Sequence, residues 1–238
     1  MPKAIVAGVG PDRGLGAQLC HRFAGEGLHV LVAGRTQESL DTVVSNIEAA
    51  GGSAEAVVCD ATEEPAVRSL FDRAGDELDL AIYNVGNNTP GRIDDMEASY
   101  FEQSWRVCCF GGFLFGREAL HNMKERGGGT ILYTGASASM RGRAGFGAFN
   151  SSKAALRMLA MAMAKEYGPD GIHVGHVVVD GAIRGEKVMN RFPEYAEKLG
   201  EDGMVNIEGI VDAFAYLYHQ PRNAWSFEVD VRTSIETW

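Results

Sequence analysis

The chain of 238 residues is short of positive charge: 22 Lys and Arg stand against 32 Asp and Glu, a formal net charge of −10. Binding to nucleic acid as the main role is argued against, because phosphate contacts need clustered cations. A local basic pocket remains compatible with that balance. Cysteine is sparse, at four residues (Cys20, Cys59, Cys108 and Cys109), and no CxxC spacing occurs. A zinc site or a thioredoxin-like redox motif is therefore not indicated. Cys108 and Cys109 are adjacent and poorly placed for a relaxed disulfide, so reduced core thiols are expected. No uninterrupted apolar run reaches membrane-spanning length. No secretory leader is read at the start either, because Lys3 leads directly into the strand-like IVAGVG. These absences together read as a cytoplasmic protein without a membrane span. Internal repeats, low-complexity tracts and interdomain linkers are also lacking, and residues 1–238 read as one domain.

What is present is an alternation of short apolar runs with amphipathic stretches. Strands are expected at 3–9, 28–33, 54–58, 78–84, 129–134, 172–179 and 225–231, most of them rich in Val, Ile and Leu. Runs of that kind suit strands covered on both faces. Helices are expected at 14–26, 37–50, 63–75, 97–125, 147–168 and 207–219. Such alternation predicts an α/β chain, a Rossmann-type doubly wound parallel sheet with helices on both faces. Residues 183–206 differ, being charged, weakly apolar and interrupted by Pro193. They read either as a lid over the carboxyl edge of the sheet or as an ordinary surface helix.

Gly8, Gly10, Gly14 and Gly16 lie between the first strand and the first helix. A glycine turn in that context lets a pyrophosphate approach the backbone, and the helix N-terminus, here beginning near Leu15, offers unpaired N–H groups to it. The second strand ends in Ala33-Gly34-Arg35, and no acid follows at once. A carboxylate there would bind the adenosine ribose hydroxyls, whereas Arg35 suits a 2′-phosphate, with Arg13 reaching it from the glycine loop. Two cations and no carboxylate point to NADP(H) rather than NAD(H), with solvated surface arginines as the other reading. Asp60, followed by Ala61 at the end of the third strand, is read either as an acceptor for the adenine amino group or as a turn residue before the next helix.

With Asn84-Val85-Gly86 after the fourth strand and Lys153 in a long helix, these residues resemble the short-chain dehydrogenase/reductase family along nearly the whole chain. That family carries TGxxxGxG, whereas Gly8 and Gly14 here are separated by five residues. The resemblance implies that Lys153 bonds the nicotinamide ribose, and that Gly181 and Ile183 join Asp180 beside the nicotinamide. It also implies a catalytic Asn, Ser, Tyr and Lys, of which only the lysine is matched. Phe149 stands at the tyrosine, Ala136 at the serine with Ser137 beside it and Ser139 beyond, and Cys108 at the asparagine. Asp180-Gly181 occupies the place of a proline-glycine pair. A phenol beside an ammonium donates a proton to the substrate oxygen as hydride arrives at carbon. Phe149 cannot, so Ser137, Ser139, a water on Lys153, Tyr83 or Asp180 is expected to assist, unless the substrate is an iminium or a conjugated enone that needs less acid. Ser137 and Ser139 also read as ordinary loop hydroxyls.

The leading expectation is an NADP(H)-dependent oxidoreductase acting on a small carbonyl, alcohol or imine, with Lys153, Ser137 and the tyrosine-replacing Phe149 at the reacting end. An NADP(H)-binding sensor without turnover is the alternative; dehydration on the same scaffold is weaker, with no carboxylate–histidine pair in view. Arg141, Arg143, Arg184, Lys187 and Arg191 read either as an anion-binding edge or as solvated charges. The aromatics Phe110, Phe113, Phe115, Phe146 and Phe149 read first as core or subunit interface. No metal is expected. Family relatives pair through the helices corresponding to 97–125 and 147–168, which implies a homodimer or homotetramer here.

Overall fold

Strands form where both faces of an apolar run find cover. In the run from Lys3 to Ala7 (β1), Ala4, Ile5 and Val6 are fully inaccessible, and Val30, Leu31 and Val32 in His29–Gly34 (β2) are equally so. No polar alternation survives in such strands because neither side meets water. A computed structural model of the chain describes residues 1–185, 188–189, 193–200 and 202–236. Lys187 and Arg191 lie outside the described residues.

The other strands of the main sheet are Ser53–Val58 (β3), Leu78–Tyr83 (β4), Gly129–Ala136 (β5), Ile172–Asp180 (β6) and Glu228–Arg232. The sheet has seven strands in the order β3-β2-β1-β4-β5-β6 with Glu228–Arg232 last, every pair parallel. Chain order reverses between β1 and β4, and a crevice opens at the carboxyl ends of the strands at such a point. Two further strands, Ala182–Ile183 (β7) and Met204–Val205 (β8), pair with each other beyond β6, and the last sheet strand is therefore β9.

Two apolar layers hold helices against the sheet. Leu15–Gly25 (α1), Gln37–Ala49 (α2) and the helix Ile207–Tyr218 share one core around Phe23, Leu40 and Phe214. Glu64–Ala74 (α3), Gly111–Arg126 (α5) and Gly147–Tyr167 (α6) share the other, around Phe71, Phe115, Tyr133 and Leu156.

The single helix expected over 97–125 is instead a composite. Ala98–Trp105 (α4) runs into a π-helical turn, Arg106–Phe110, before α5 begins. The turn absorbs an extra residue without ending the helical rod. Beyond it Gly111, Gly112 and Gly116 let α5 lie close on the sheet; a Cβ on Gly116 would stand 2.1 Å from the Tyr133 hydroxyl. Among the described residues no helix is long and apolar enough to cross a membrane, and no group of His, Cys, Asp or Glu is arranged to hold a metal ion.

Candidate active site

The crevice at the strand switch is a cleft of about 760 Å³. It starts at the turn after β1. Gly8 has φ +92°, a conformation that L side chains rarely adopt, and its amide and that of Val9 both donate to Ala33 O at 3.0 Å. Gly16 lies so close that a Cβ there would come within 2.7 Å of Gly8 O. Gly10 has open space above it, and Gly14 caps α1 with no side-chain hydrogen bond. Unsatisfied amides at the start of α1 therefore face an open cradle of glycines, which fits a pyrophosphate. Asp12 explains the longer loop: His21 Nε2 meets its carboxylate at 2.8 Å, and Gln18 Nε2 donates to its carbonyl at 2.8 Å. The loop is thus tied down onto α1. Arg13, expected to reach into the cleft, is exposed and does not line it.

Arg35 lines the cleft beside Asp60, Ala61 and Thr62. Asp60 Oδ1 accepts from Thr62 N at 2.9 Å and Thr62 Oγ1 at 2.8 Å, so the carboxylate makes its own turn while facing the cleft. Burial acts to raise the Asp60 pKa, but these hydrogen bonds and the charges of Arg35 and Arg106 outweigh it and hold the group below the usual range. Cys59 lines the same wall; burial and Asp60 push its thiol up to about 11, away from reactivity.

At the far end stand Asn84, Val85, Gly86, Ser137, Phe149, Lys153, Gly181 and Ile183. Phe149 and Lys153 are one helical turn apart on α6 and so share a face. Lys153 is buried; its ammonium donates to Thr134 O at 2.8 Å and Val85 O at 3.4 Å and lies 6.0 Å from the Phe149 ring centroid. Asn84 accepts from Thr134 Oγ1 at 3.0 Å and donates to Gly8 O at 3.4 Å, linking the reacting end to the glycine turn.

The proposed substitutes for the phenol separate cleanly. Tyr83 is fully buried beneath the π turn and donates to Val107 O at 2.7 Å, away from the cleft; burial holds its pKa well above the ordinary phenolic range. Ser139 Oγ accepts from Ala136 N at 3.1 Å and does not line the cleft. Asp180, expected to face the nicotinamide, is only 1% exposed and does not line the cleft. Arg141 grips it in a bidentate pair at 2.7 and 2.8 Å, and the nearby Ser137 hydroxyl also favours its charged form. Burial works to raise that carboxyl, and the partners overcome it, keeping the pKa below the usual value. Arg141 also donates to Glu236, so it is not an open anion site. Arg143 lies over the Phe146 ring at 5.1 Å. Of the aromatics expected in core or interface, Phe115 is fully buried and Phe113 is exposed.

Thr62, Asn87, Gln103, Val107, Thr134 and Val188 also line the cleft and were not among the expected site residues. Asn87 alone carried a usable signal, as the polar residue following Gly86. Thr134 was hidden inside an apolar strand, and Gln103 inside a helix.

The family model for short chain dehydrogenases matches residues 3–195. An uncharacterized oxidoreductase, YuxG, of Bacillus subtilis is 33% identical over 190 residues, 77% of this chain; the match spans only 27% of that longer protein. The crystal structure of a short-chain dehydrogenase from Rhodopseudomonas palustris superposes with a TM-score of 0.83 at 34% identity, covering 97% of this chain and 98% of that one. A 7α-hydroxysteroid dehydrogenase, solved with NADH and 7-oxo glycochenodeoxycholic acid, gives a TM-score of 0.88 at 26% identity, over 98% and 93% of the two chains. With the family model matched over most of its length and a short-chain dehydrogenase superposing on nearly all of it, the chain belongs to the short-chain dehydrogenase/reductase family of oxidoreductases.

Proposed function

We propose that this chain is an NADP(H)-dependent reductase of a small carbonyl compound that works without a tyrosine acid. The observation that carries the reading is one continuous cleft with a glycine cradle and Arg35 at one end and Lys153, Ser137 and Phe149 at the other. When bound, the nicotinamide supplies or takes up the hydride. Gly8, Gly10, Gly14, Leu15 and Gly16 hold the pyrophosphate against the start of α1. Arg35 pairs with the 2′-phosphate, and Asp60 and Ala61 border the adenine. Lys153, through the ribose, and Asn84, Val85, Gly86, Gly181 and Ile183 position the nicotinamide end.

The hydroxysteroid dehydrogenase relative was solved with NADH, which supports a nicotinamide nucleotide here; the choice of the phosphorylated form rests on Arg35. Phe149 offers no proton, so the acceptors best suited are carbonyls whose electron demand is already high. Pairing of two copies through α4, α5 and α6 is part of the proposal, since Phe101, Trp105, Phe113 and Met158 are exposed on those helices. The test is direct: titrate the protein with NADPH and NADH by fluorescence, then follow loss of reduced-nicotinamide absorbance with a panel of carbonyls. Tighter NADPH binding and oxidation by at least one carbonyl are expected. Binding without oxidation by any acceptor would replace this reading with that of a nucleotide sensor.

A further inference from the structure

We infer that Asn87 is the hydrogen-bond donor to the substrate oxygen, taking over carbonyl polarisation from the absent phenol, and that the substrate is an activated neutral carbonyl rather than a cationic iminium. The inference deepens the proposed reductase and rests on it. Asn87 follows Gly86 and lines the cleft with Phe149, Ser137 and Lys153. Its side-chain oxygen accepts from Ser104 Oγ at 3.0 Å and from Cys108 Sγ at 3.7 Å. Both donors are fully buried, four residues apart on the rod formed by α4 and the π turn.

In this arrangement the hydroxyl of Ser104 and the thiol of Cys108 both meet the amide on its oxygen edge, and the opposite edge carries only donors. The NH2 edge is thereby turned away from Ser104 and Cys108. Among the described residues it has no hydrogen-bond partner, yet it does not count with the buried unpaired atoms of the chain. It is an accessible, oriented and unused donor at the reacting end of the cleft.

The other candidates there are committed. The Asp180 carboxylate is pinned by Arg141, and an ionised carboxylate can only accept, so it draws the neighbouring Ser137 hydroxyl hydrogen toward itself and away from the cleft. Asn84 donates to Gly8 O. Lys153 donates to Thr134 O and Val85 O, and in the proposed function it serves the ribose rather than the substrate oxygen. Gln103 is exposed and carries no hydrogen bond that would hold it. Cys108, standing where the family has asparagine, thus gains a role: with Ser104 it is a positioning residue for the Asn87 amide.

The chemistry follows. As hydride reaches the carbonyl carbon, the electron pair of the C=O π bond collects on oxygen, and the Asn87 N–H stabilises that charge. An amide does not release its proton at neutral pH, so the proton completing the alcohol comes from water. Such assistance suffices where the nascent anion is already stabilised, as with an α-diketone or a conjugated enone. A cationic iminium has no lone pair to receive the donor.

The experiment compares wild type with Asn87→Leu and Asn87→Asp, both close in size and both lacking the N–H donors. Substrates are 2,3-butanedione and an N-methyl-3,4-dihydroisoquinolinium ion, with NADPH. Loss of one preorganised donor lowers kcat on the diketone about 100-fold or more. The Kd for NADPH and any turnover of the iminium are expected to stay unchanged; the Tm holds in Asn87→Asp, which keeps the acceptor, and falls by a few degrees in Asn87→Leu, which leaves the buried Ser104 and Cys108 donors unpaired. A second readout needs no turnover: the infrared carbonyl band of bound ¹³C-labelled 2,3-butanedione, with oxidised nucleotide present, lies at lower frequency in wild type than in either variant. Diketone reduction retained within about threefold in both variants overturns the inference and leaves the reductase standing. Equal loss on both substrates, turnover of the iminium alone by wild type, or a carbonyl band that is absent or identical in all three proteins also overturns it. No wild-type turnover, with intact NADPH binding and the expected band shift, removes the reductase reading and retains the donor.

Discussion

Phe149→Tyr is expected to raise ketone reduction by about 10²–10⁴-fold, the usual contribution of a positioned general acid. The Phe149 ring lines the cleft, so an added hydroxyl projects into open space rather than into packed core. The Lys153 ammonium lies 6.0 Å from the ring centroid. With the ammonium over the ring face, a para oxygen lies about 6–7 Å from it, where Coulomb attraction is about 2.5 kcal/mol at an effective dielectric constant of about 20. That favours phenolate by about two pKa steps and moves an ordinary phenol from ~10 toward ~8. The assay is kcat/KM for cyclohexanone with NADPH across pH 6–9. The variant should lose rate as pH rises through about 8, because only the protonated phenol acts as acid; wild type lacks that limb. A gain below about threefold, with NADPH binding intact, would refute the claim that this cleft is a reduction site deprived of its acid.

Three further perturbations test separate parts of the molecule. Arg35→Ser should weaken NADPH binding about 10–100-fold in calorimetry while leaving NADH within about twofold, since one charge-assisted contact contributes about 1.5–3 kcal/mol. Gly16→Ala places a Cβ 2.7 Å from Gly8 O, a backbone atom that cannot swing aside; overpacking of about 1–3 kcal/mol should lower the Tm by about 2–10 °C and weaken nucleotide binding. Glu228 is pushed up by burial but pulled down further, to about 2, by Arg157 and His176. Because its folded pKa is depressed, its stabilisation is complete above the unfolded value and is lost as pH falls toward about 2. Glu228→Gln should therefore lower stability at pH 7 and flatten the acid limb below about pH 5, read by urea unfolding at a series of pH values.

Local patterns carried much of the fold and part of the site. The glycine spacing after β1 marks a tight turn whatever surrounds it, and Phe149 and Lys153 must share a face because they are four apart on a helix. Long-range partners were not legible. Asp180 looks like a nicotinamide neighbour by position, but Arg141, 39 residues earlier, draws it away from the cleft. Arg13 looks like a phosphate ligand from its place in the glycine loop, but it is exposed and does not line the cleft. The segment 97–125 keeps an apolar rhythm throughout, and the π turn hides in it because one added residue lengthens a helix without breaking it. Asn87 escaped notice because its amide acquires direction only from Ser104 and Cys108, on a different element.

That π turn works as a local slack in the rod. A π revolution takes up about one residue more than an α revolution, so removing one residue between Arg106 and Phe110 would restore ordinary pitch and leave α4 and α5 nearly in phase. Gly111, Gly112 and Gly116 would stay seated on the sheet, and Ser104 would stay beside the Asn87 carbonyl. The groups displaced would be those of the turn itself: Val107 O, which accepts from Tyr83, and the Cys108 thiol, which meets Asn87. A single codon deletion there would thus shave one prop from the amide while sparing both flanking helices.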